Sequence, residues 1–316
     1  MMNMRQATVR ALLRWGLAAA LAACMAAGAF AAPVRVAFSR ENSIYIMDLD
    51  GGEPLLLAEG YDPEISPDGS MVAFTAYIGG PDGGDRRIAV VDTDTKKVTV
   101  IDNIPGDNSY GPRWSPDGSQ LLFNHWDPEG DDWVLATARP DRTGFRVPVP
   151  GLKGVYSPFW SADGKYAYCQ NLVTLFRIDV AAGTVVDERP LENVTGEVAL
   201  MSSAVRFSVS PDGGLWLFDA EVEDTAGLMK QDEPLSSAVF LHTTADGETI
   251  RLTPEDVCAM QPEWLPGGEF LYTAYEPGKP GGGRNEDYPF SVYRAPLDGG
   301  TPVLLAEVAD RPSASR

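Results

Sequence analysis

The chain has 316 residues, of which 44% are hydrophobic, and it contains 32 glycines and 25 prolines. So many scattered chain-breaking residues exclude a helical bundle and a collagen-like repeat, and they indicate many short strands joined by turns. The net charge of -20 makes nucleic acid and anionic membrane surfaces unsuitable partners. With two histidines in the whole chain, we expect no metal site, and we expect no cofactor.

The first residues have the pattern of a secretory signal, with three arginines before an apolar stretch over residues 15–32. We therefore expect export to the periplasm, with two cleavage sites left open. Cleavage after Ala31 would remove a signal peptide of residues 1–31. Cleavage before Cys24 would remove a lipoprotein signal of residues 1–23, because the three residues before this cysteine complete a lipobox. A lipid on Cys24 would then be the link to the membrane.

The remaining chain, residues 34–316, begins with three short apolar segments at 34–39, 44–49 and 55–58. A turn, Asp50-Gly51-Gly52, separates the last two segments. This order matches the second, third and fourth strands of a four-stranded unit that lacks its first strand.

A turn motif then recurs five times, each copy lying between two apolar or aromatic segments. Its glycines are spaced by 49, 46, 49 and 55 residues. Serine, proline, aspartate and glycine in this order favour a tight hairpin turn, and each unit continues with two more strands. The five copies are Ile65-Ser66-Pro67-Asp68-Gly69, Trp114-Ser115-Pro116-Asp117-Gly118, Trp160-Ser161-Ala162-Asp163-Gly164, Val209-Ser210-Pro211-Asp212-Gly213 and Trp264-Leu265-Pro266-Gly267-Gly268.

The end of the chain supplies the strand that the first unit lacks. Pro312-Ser313-Ala314-Ser315 follows Pro262 by 50 residues and repeats the spacing found before the earlier turns. Residues 34–316 then divide into six units of about 47 residues each. The sequence therefore predicts an all-β, six-bladed β-propeller of four-stranded blades, closed by pairing the C-terminal strand with the N-terminal partial blade.

These repeats resemble the propeller blades of the TolB family, which carry a Pro-x-Trp-Ser-Pro-Asp-Gly turn. The segment Ile44-Tyr45-Ile46-Met47-Asp48-Leu49-Asp50-Gly51 is very similar to the third strand of those blades. The resemblance covers the propeller alone, without the α/β domain that precedes it in TolB. It implies the fold more than the function, because similar blades occur in prolyl-oligopeptidase-type peptidases and in some polysaccharide lyases.

No nucleophile elbow, phosphate-binding loop or metal-protease motif occurs in the sequence. The best candidates for a ligand site come from comparing the blades near their innermost strands, which ring closure brings to the axis. Arg113 is a cation there, so we expect it to pair with a ligand carboxylate. The candidate ligand-binding residues are Tyr61, Glu64, Tyr110, Arg113, Tyr156, Phe159, Gln261 and Glu263, and the same comparison brings Arg311 of the last strand near the axis.

We interpret the chain as an exported, non-enzymatic propeller, monomeric, that binds a protein or peptide partner in the bacterial cell envelope. The alternative is a propeller hydrolase or lyase that acts on a peptide or saccharide. In that case Glu64 and Glu263 would be its acid/base pair on the axis. Long segments at residues 221–236 and 276–288 are further candidate recognition loops.

Overall fold

The fold was determined as a computed structural model that describes residues 33–80, 84–196, 198, 200–229, 235–275 and 290–316. The predicted signal segment, with Cys24, lies outside the described residues, as do the whole predicted loop at 276–288 and residues 230–234 of the predicted loop at 221–236. Six antiparallel sheets surround a common axis, and α1 (Glu192–Thr195) is a single helical turn. The predicted all-β, six-bladed propeller is thus confirmed.

Blades 1 to 3 come from the first part of the chain and from its last strand. Blade 1 contains β1 (Arg35–Arg40), β2 (Ser43–Asp48), β3 (Leu55–Glu59) and, as its innermost strand, β23 (Asp310–Ala314). Blade 2 contains β4 (Tyr61–Ile65), β5 (Met71–Ile78), β6 (Asp85–Asp92) and β7 (Val98–Val100). Blade 3 contains β8 (Ser109–Trp114), β9 (Leu121–Asp127) and β10 (Asp132–Ala138).

Blades 4 to 6 follow in chain order, each with four strands. Blade 4 contains β11 (Tyr156–Trp160), β12 (Tyr166–Gln170), β13 (Thr174–Asp179) and β14 (Thr184–Pro190). Blade 5 contains β15 (Phe207–Val209), β16 (Leu215–Glu223), β17 (Leu235–Thr243) and β18 (Thr249–Arg251). Blade 6 contains β19 (Cys258–Leu265), β20 (Glu269–Tyr275), β21 (Phe290–Pro296) and β22 (Val303–Ala306).

The two ends of the chain close the ring as predicted. Strand β23 pairs antiparallel with β1, with Ala314 opposite Val36 and Ser313 opposite Ala37. The Ser313 hydroxyl also accepts a hydrogen bond from the Ile65 N–H of blade 2, at 3.0 Å. Closure therefore pairs the inner edge of β1 and links blade 1 to its neighbour.

Blade 3 differs from the predicted four strands. Its outer position is occupied by a segment that makes one antiparallel bridge, between Thr137 and Arg146, with hydrogen bonds of 2.8 and 2.9 Å in the two directions. Prolines at positions 148 and 150 lack the N–H that a longer ladder needs, which accounts for the short pairing.

The repeated turn is held by the side chains that the motif specifies. In blade 2 the Ser66 hydroxyl donates to Asp68 at 2.6 Å, and the N–H of Ser70 donates to the same carboxylate at 3.0 Å. These bonds lower the pKa of Asp68. Gly69 has φ +73°, a conformation that favours glycine. Asp117, Asp163 and Asp212 make the equivalent bonds in blades 3, 4 and 5.

The core lies between the blades, with one cluster of buried apolar residues at each of the six interfaces. The motif tryptophans also bond to the preceding blade. The indole N–H of Trp114 donates to the Glu64 carbonyl at 2.8 Å, and that of Trp160 donates to the Arg113 carbonyl at 3.1 Å. Each aromatic side chain thus combines burial with a specific bond across the interface.

Candidate functional site

The innermost strands carry a repeated irregularity that shapes one end of the axis. In blades 1, 2, 3, 4 and 6 a residue with φ between 51° and 65° precedes a proline, and the strand register shifts there. Arg206 occupies the equivalent position in blade 5, where Phe207 replaces the proline and β15 is regular. We call these six the pre-proline positions: Asp62, Gly111, Ser157, Arg206, Gln261 and Arg311.

Polar residues on the second strands hold the backbone of these positions. The hydroxyl of Thr75 accepts a hydrogen bond from the Gly111 N–H, and that of Thr273 accepts one from the Arg311 N–H, both at 3.1 Å. Asp219 accepts from the Arg206 N–H at 2.8 Å. Burial raises the pKa of Asp219 to about 6, although backbone N–H groups donate to it.

All six pre-proline positions line a cavity of about 280 Å³ at this end of the axis, which we call the mouth. Tyrosine rings form part of its wall, and arginines lie on two of them. The Arg311 guanidinium lies 4.1 Å from the centre of the Tyr61 ring, and that of Arg86 lies 4.4 Å from the centre of the Tyr110 ring. The mouth therefore presents flat aromatic surfaces together with cations.

The arginines of the wall differ in their partners. Arg311 bonds to the carboxylates of Asp62 and Asp310, both at 2.7 Å. Against the lowering effect of burial, these two carboxylates raise the pKa of Arg311. Arg86 donates from Nε to the Asn108 side-chain oxygen at 2.7 Å. No carboxylate of the described residues lies within 4.0 Å of the Arg86 guanidinium.

A buried network of charges, which we call the axial network, forms the floor of the mouth. Arg206 Nη2 donates to Glu64 at 2.8 Å and to Glu263 at 3.0 Å, and Arg113 donates to Glu64 at 2.8 Å. Glu64, Glu263 and Arg206 are 8%, 3% and 5% exposed. Burial and the neighbouring Glu64 raise the pKa of Glu263, while burial and Arg206 lower the pKa of Arg113. Each carboxylate is thus paired with a guanidinium.

A second, smaller cavity of about 30 Å³ lies along Glu64, Arg113 and Glu263 and is also lined by Phe159 and Arg316. This volume has room for about two water molecules. Arg316 lies 4.0 Å from the Glu263 carboxylate. The axial carboxylates therefore face a space too small for a peptide or saccharide.

The predicted site residues divide into three groups. Tyr61, Tyr110, Arg113 and Gln261 line the mouth, and Arg113 also belongs, with Glu64 and Glu263, to the axial network that borders the smaller cavity. Phe159 is buried between blades 4 and 5, stacked on Tyr168 and Phe207. Tyr156 pairs in register with Gln170 and lies outside the set of described residues that line the mouth.

Sequence reasoning missed Arg206 and the other pre-proline side chains apart from Gln261 and Arg311. The dipeptides Asp62-Pro63, Gly111-Pro112, Ser157-Pro158, Gln261-Pro262 and Arg311-Pro312 recur at one position of the repeat, and this signal could have identified them. Arg206 has no such signal, because Phe207 follows it where the other five blades have a proline.

The part of the chain that the structure describes contains no group of three or more His, Cys, Asp and Glu side chains that could hold a metal ion. Both histidines are buried in separate blades, where the Nδ1 atoms of His125 and His242 lie 2.9 Å from the hydroxyls of Ser109 and Thr249. None of the described helices has the length and apolar character needed to cross a membrane.

Comparison with solved structures supports the fold assignment. TolB from Acinetobacter baumannii superposes with a TM-score of 0.63 at 17% identity, over 89% of this chain and 66% of its own. A putative TolB from Agrobacterium tumefaciens superposes with a TM-score of 0.59 at 14% identity, over 87% of this chain and 89% of its own. A chain of a nidogen/laminin complex superposes with a TM-score of 0.61 at 10% identity, over 90% of this chain and 98% of its own. No family model and no curated protein sequence matches the chain.

The fold and the site together define a six-bladed β-propeller with an aromatic and cationic mouth above a floor of paired charges. Its blades are TolB-like in structure, as the sequence repeats predicted. The likeness concerns the fold, since the identities are at most 17%.

Proposed function

We propose that this protein is an exported binding propeller that takes a peptide segment of a protein partner into its mouth. The observation that carries the proposal is the construction of the mouth. Each of the six blades contributes its pre-proline position to a single cavity of about 280 Å³, with tyrosines and arginines in its wall. Flat aromatic rings and guanidinium groups are the side chains that contribute most to protein recognition.

The paired charges of the floor favour binding over the alternative of an axial hydrolase or lyase. An acid/base pair needs one carboxylate that is free to accept a proton next to the substrate. Here Glu64 and Glu263 both accept hydrogen bonds from Arg206, and Glu64 accepts another from Arg113. The cavity beside them is also much smaller than the mouth.

The general expectation of a protein partner agrees with what propellers of this shape do elsewhere. A chain of similar fold occurs in a nidogen/laminin complex, which contains two proteins. The acidic surface of this chain disfavours nucleic acid and anionic lipid as partners. We propose the bacterial envelope as the compartment, because of the signal pattern before residue 34.

The test fills the mouth without changing the charge. Gln261 already shows that a glutamine side chain fits a pre-proline position, at φ +57°. At Gly111 a Cβ would lie 3.5 Å from the nearest atom, the Asn124 amide nitrogen, which is an ordinary contact. Gly111→Gln should therefore fold, at a cost of about 1 kcal/mol for the positive φ.

Envelope proteins captured by the full chain would be identified by mass spectrometry, and the affinity of the purified partner would then be measured for each variant. Gly247→Gln is the matched control, because Gly247 has φ +73° and lies on an outer turn with open space around it. We expect Gly111→Gln to abolish partner binding and Gly247→Gln to leave it unchanged. Equal binding by both variants would place recognition outside the mouth.

A further inference from the structure

We infer that the ligand of the mouth is acidic, and that Arg86 receives one of its carboxylates. This inference rests on the proposed binding function, since it names the chemical class of peptide that the same cavity would take. It follows from the charge of the cavity, from the partners of its arginines and from the shape of its wall.

The mouth offers guanidinium groups in a chain that is otherwise acidic. The chain has a net charge of -20, yet four arginines and one aspartate line the mouth. Carboxylates within hydrogen-bond distance offset the charges of Arg113, Arg206 and Arg311. Arg86 is therefore the lining cation whose charge no nearby carboxylate of the described residues offsets, and it would attract an acidic ligand.

The arginines are not equally available to such a ligand. Arg113 is held by Glu64, and Arg311 is held by Asp62 and Asp310. Arg86 is held by aromatic rings, with its guanidinium 4.4 Å from the Tyr110 ring centre and 5.6 Å from that of Trp133. Its bond to Asn108 uses Nε, so both Nη groups can donate to a carboxylate.

The floor holds a second donor that favours an acceptor in the ligand. Arg206 is 5% exposed, and its Nε has no hydrogen-bond partner among the described residues. Leaving a charged donor unpaired in a buried position is costly, so an acceptor that reached this donor would be favoured. An oxygen atom of a ligand that reaches the floor would satisfy this donor.

The shape of the wall places the ligand on the side of Arg86. The two smallest pre-proline residues, Gly111 and Ser157, lie in the adjacent blades 3 and 4, whereas the larger Arg206, Gln261 and Arg311 lie in blades 5, 6 and 1. The space left by the small side chains adjoins Tyr110, the ring on which Arg86 lies. A peptide seated there reaches Arg86 first.

The test uses two fluorescein-labelled, capped hexapeptides. One contains two aspartates, and the other has asparagines at the same two positions. Their affinity for the full chain would be measured by fluorescence anisotropy at low and at moderate salt. Arg86→Gln removes the proposed partner. Arg87→Gln is the matched control, because Arg87 is the next residue of the same strand and pairs with Asp85 at 2.9 Å. Succinate serves as a competitor, to separate a peptide from a small dicarboxylate.

We expect the aspartate peptide to bind at least about tenfold more tightly than the asparagine peptide, and more weakly as salt increases. Arg86→Gln should remove that preference, whereas Arg87→Gln should keep it within about twofold. Succinate should compete only at concentrations far above that of the peptide. Competition by succinate at equal concentration would overturn the assignment of a peptide.

Two other results would overturn the inference of an acidic ligand, and each would leave the proposed binding function to be decided by its own test. If both peptides bind equally and Gly111→Gln abolishes their binding, the mouth is a binding site but does not select carboxylates. If neither peptide binds, the ligand is not an acidic peptide. The affinities of the captured envelope partner for the Gly111→Gln and Gly247→Gln variants then decide whether the mouth binds another class of ligand.

Discussion

Replacing Arg206 by methionine should destabilise the protein strongly, because it separates two buried carboxylates from their shared cation. Methionine keeps much of the side-chain volume but removes the donor at 2.8 Å from Glu64 and 3.0 Å from Glu263. Glu64 would keep Arg113, whereas Glu263, which is 3% exposed, would keep only Arg316 at 4.0 Å among the described residues. Breaking a buried pair in this way costs about 3–5 kcal/mol.

The assay is urea unfolding at pH 7 and at pH 5. With an m-value of about 3 kcal/mol/M, the midpoint should fall by about 1 M or more at pH 7. The pKa of Glu263 is already raised by burial, and it should rise further without Arg206. A protein whose carboxyl group has a raised pKa in the folded state becomes less stable as the pH rises through that pKa. The loss of unfolding free energy caused by Arg206→Met should therefore be smaller at pH 5 than at pH 7.

Two variants separate this explanation from a general packing defect. Adding Glu263→Gln to Arg206→Met removes the unpaired charge and should recover at least half of the lost stability. Arg294→Met breaks a pair with Glu269 in which both side chains are more than a quarter exposed, and it should cost less than about 1 kcal/mol. A loss below about 1 kcal/mol for Arg206→Met, or an equal loss at both pH values, would refute the reasoning.

Further predictions concern single groups and the two ends of the chain. Because the pKa of Asp219 is raised to about 6, the wild type should gain stability on the order of 3 kcal/mol as the pH falls from about 6 towards 4. Asp219→Asn should abolish this gain, which thermal unfolding at several pH values would measure. Arg113→Ala should lower the unfolding free energy by about 2 kcal/mol in the same assay, because its carboxylate partner is buried; unchanged stability would mean that this pair contributes nothing. Deleting residues 308–316 should reduce solubility and melting temperature, since the inner edge of blade 1 becomes unpaired; a truncated chain as stable as the full one would contradict the closure argument. Intact-mass analysis of membrane and soluble fractions should find either acylated Cys24 or a soluble form that begins at Ala32.

The repeats made the fold predictable, while the site was predictable only in part. Serine, aspartate and glycine of the turn act through bonds within a few residues, so their spacing reports each hairpin directly. Ring closure was readable because Pro312 follows Pro262 by 50 residues, which repeats the spacing of the earlier units. Such local patterns determine secondary structure and the order of blades.

Arg206, which joins Glu64 and Glu263 across the axis, could not be found in this way. Arg206 meets Glu64 across 142 positions of sequence, and no periodic pattern records that encounter. Phe159 was predicted to bind a ligand because its position in the repeat is near the axis. Its ring stacks on Phe207 between blades 4 and 5 and borders the smaller axial cavity, and the strand register shifts just before it. Side-chain direction at a bulge depends on backbone geometry that the repeat alone does not specify.

The bond between Arg206 and Glu64 also bears on how many blades the ring contains. Blade 5 and blade 2 are diametrically opposite in a ring of six, so this 2.8 Å bond spans the central opening from one side to the other. The packing between adjacent blades depends on the local angle between two sheets, which changes little when a blade is added. A seven-bladed ring of the same units would have a wider opening and would put Arg206 and Glu64 out of reach of each other, so the network would lose the bond that joins its Glu64–Arg113 pair to its Arg206–Glu263 pair. The axial network thus selects against rings of the wrong size.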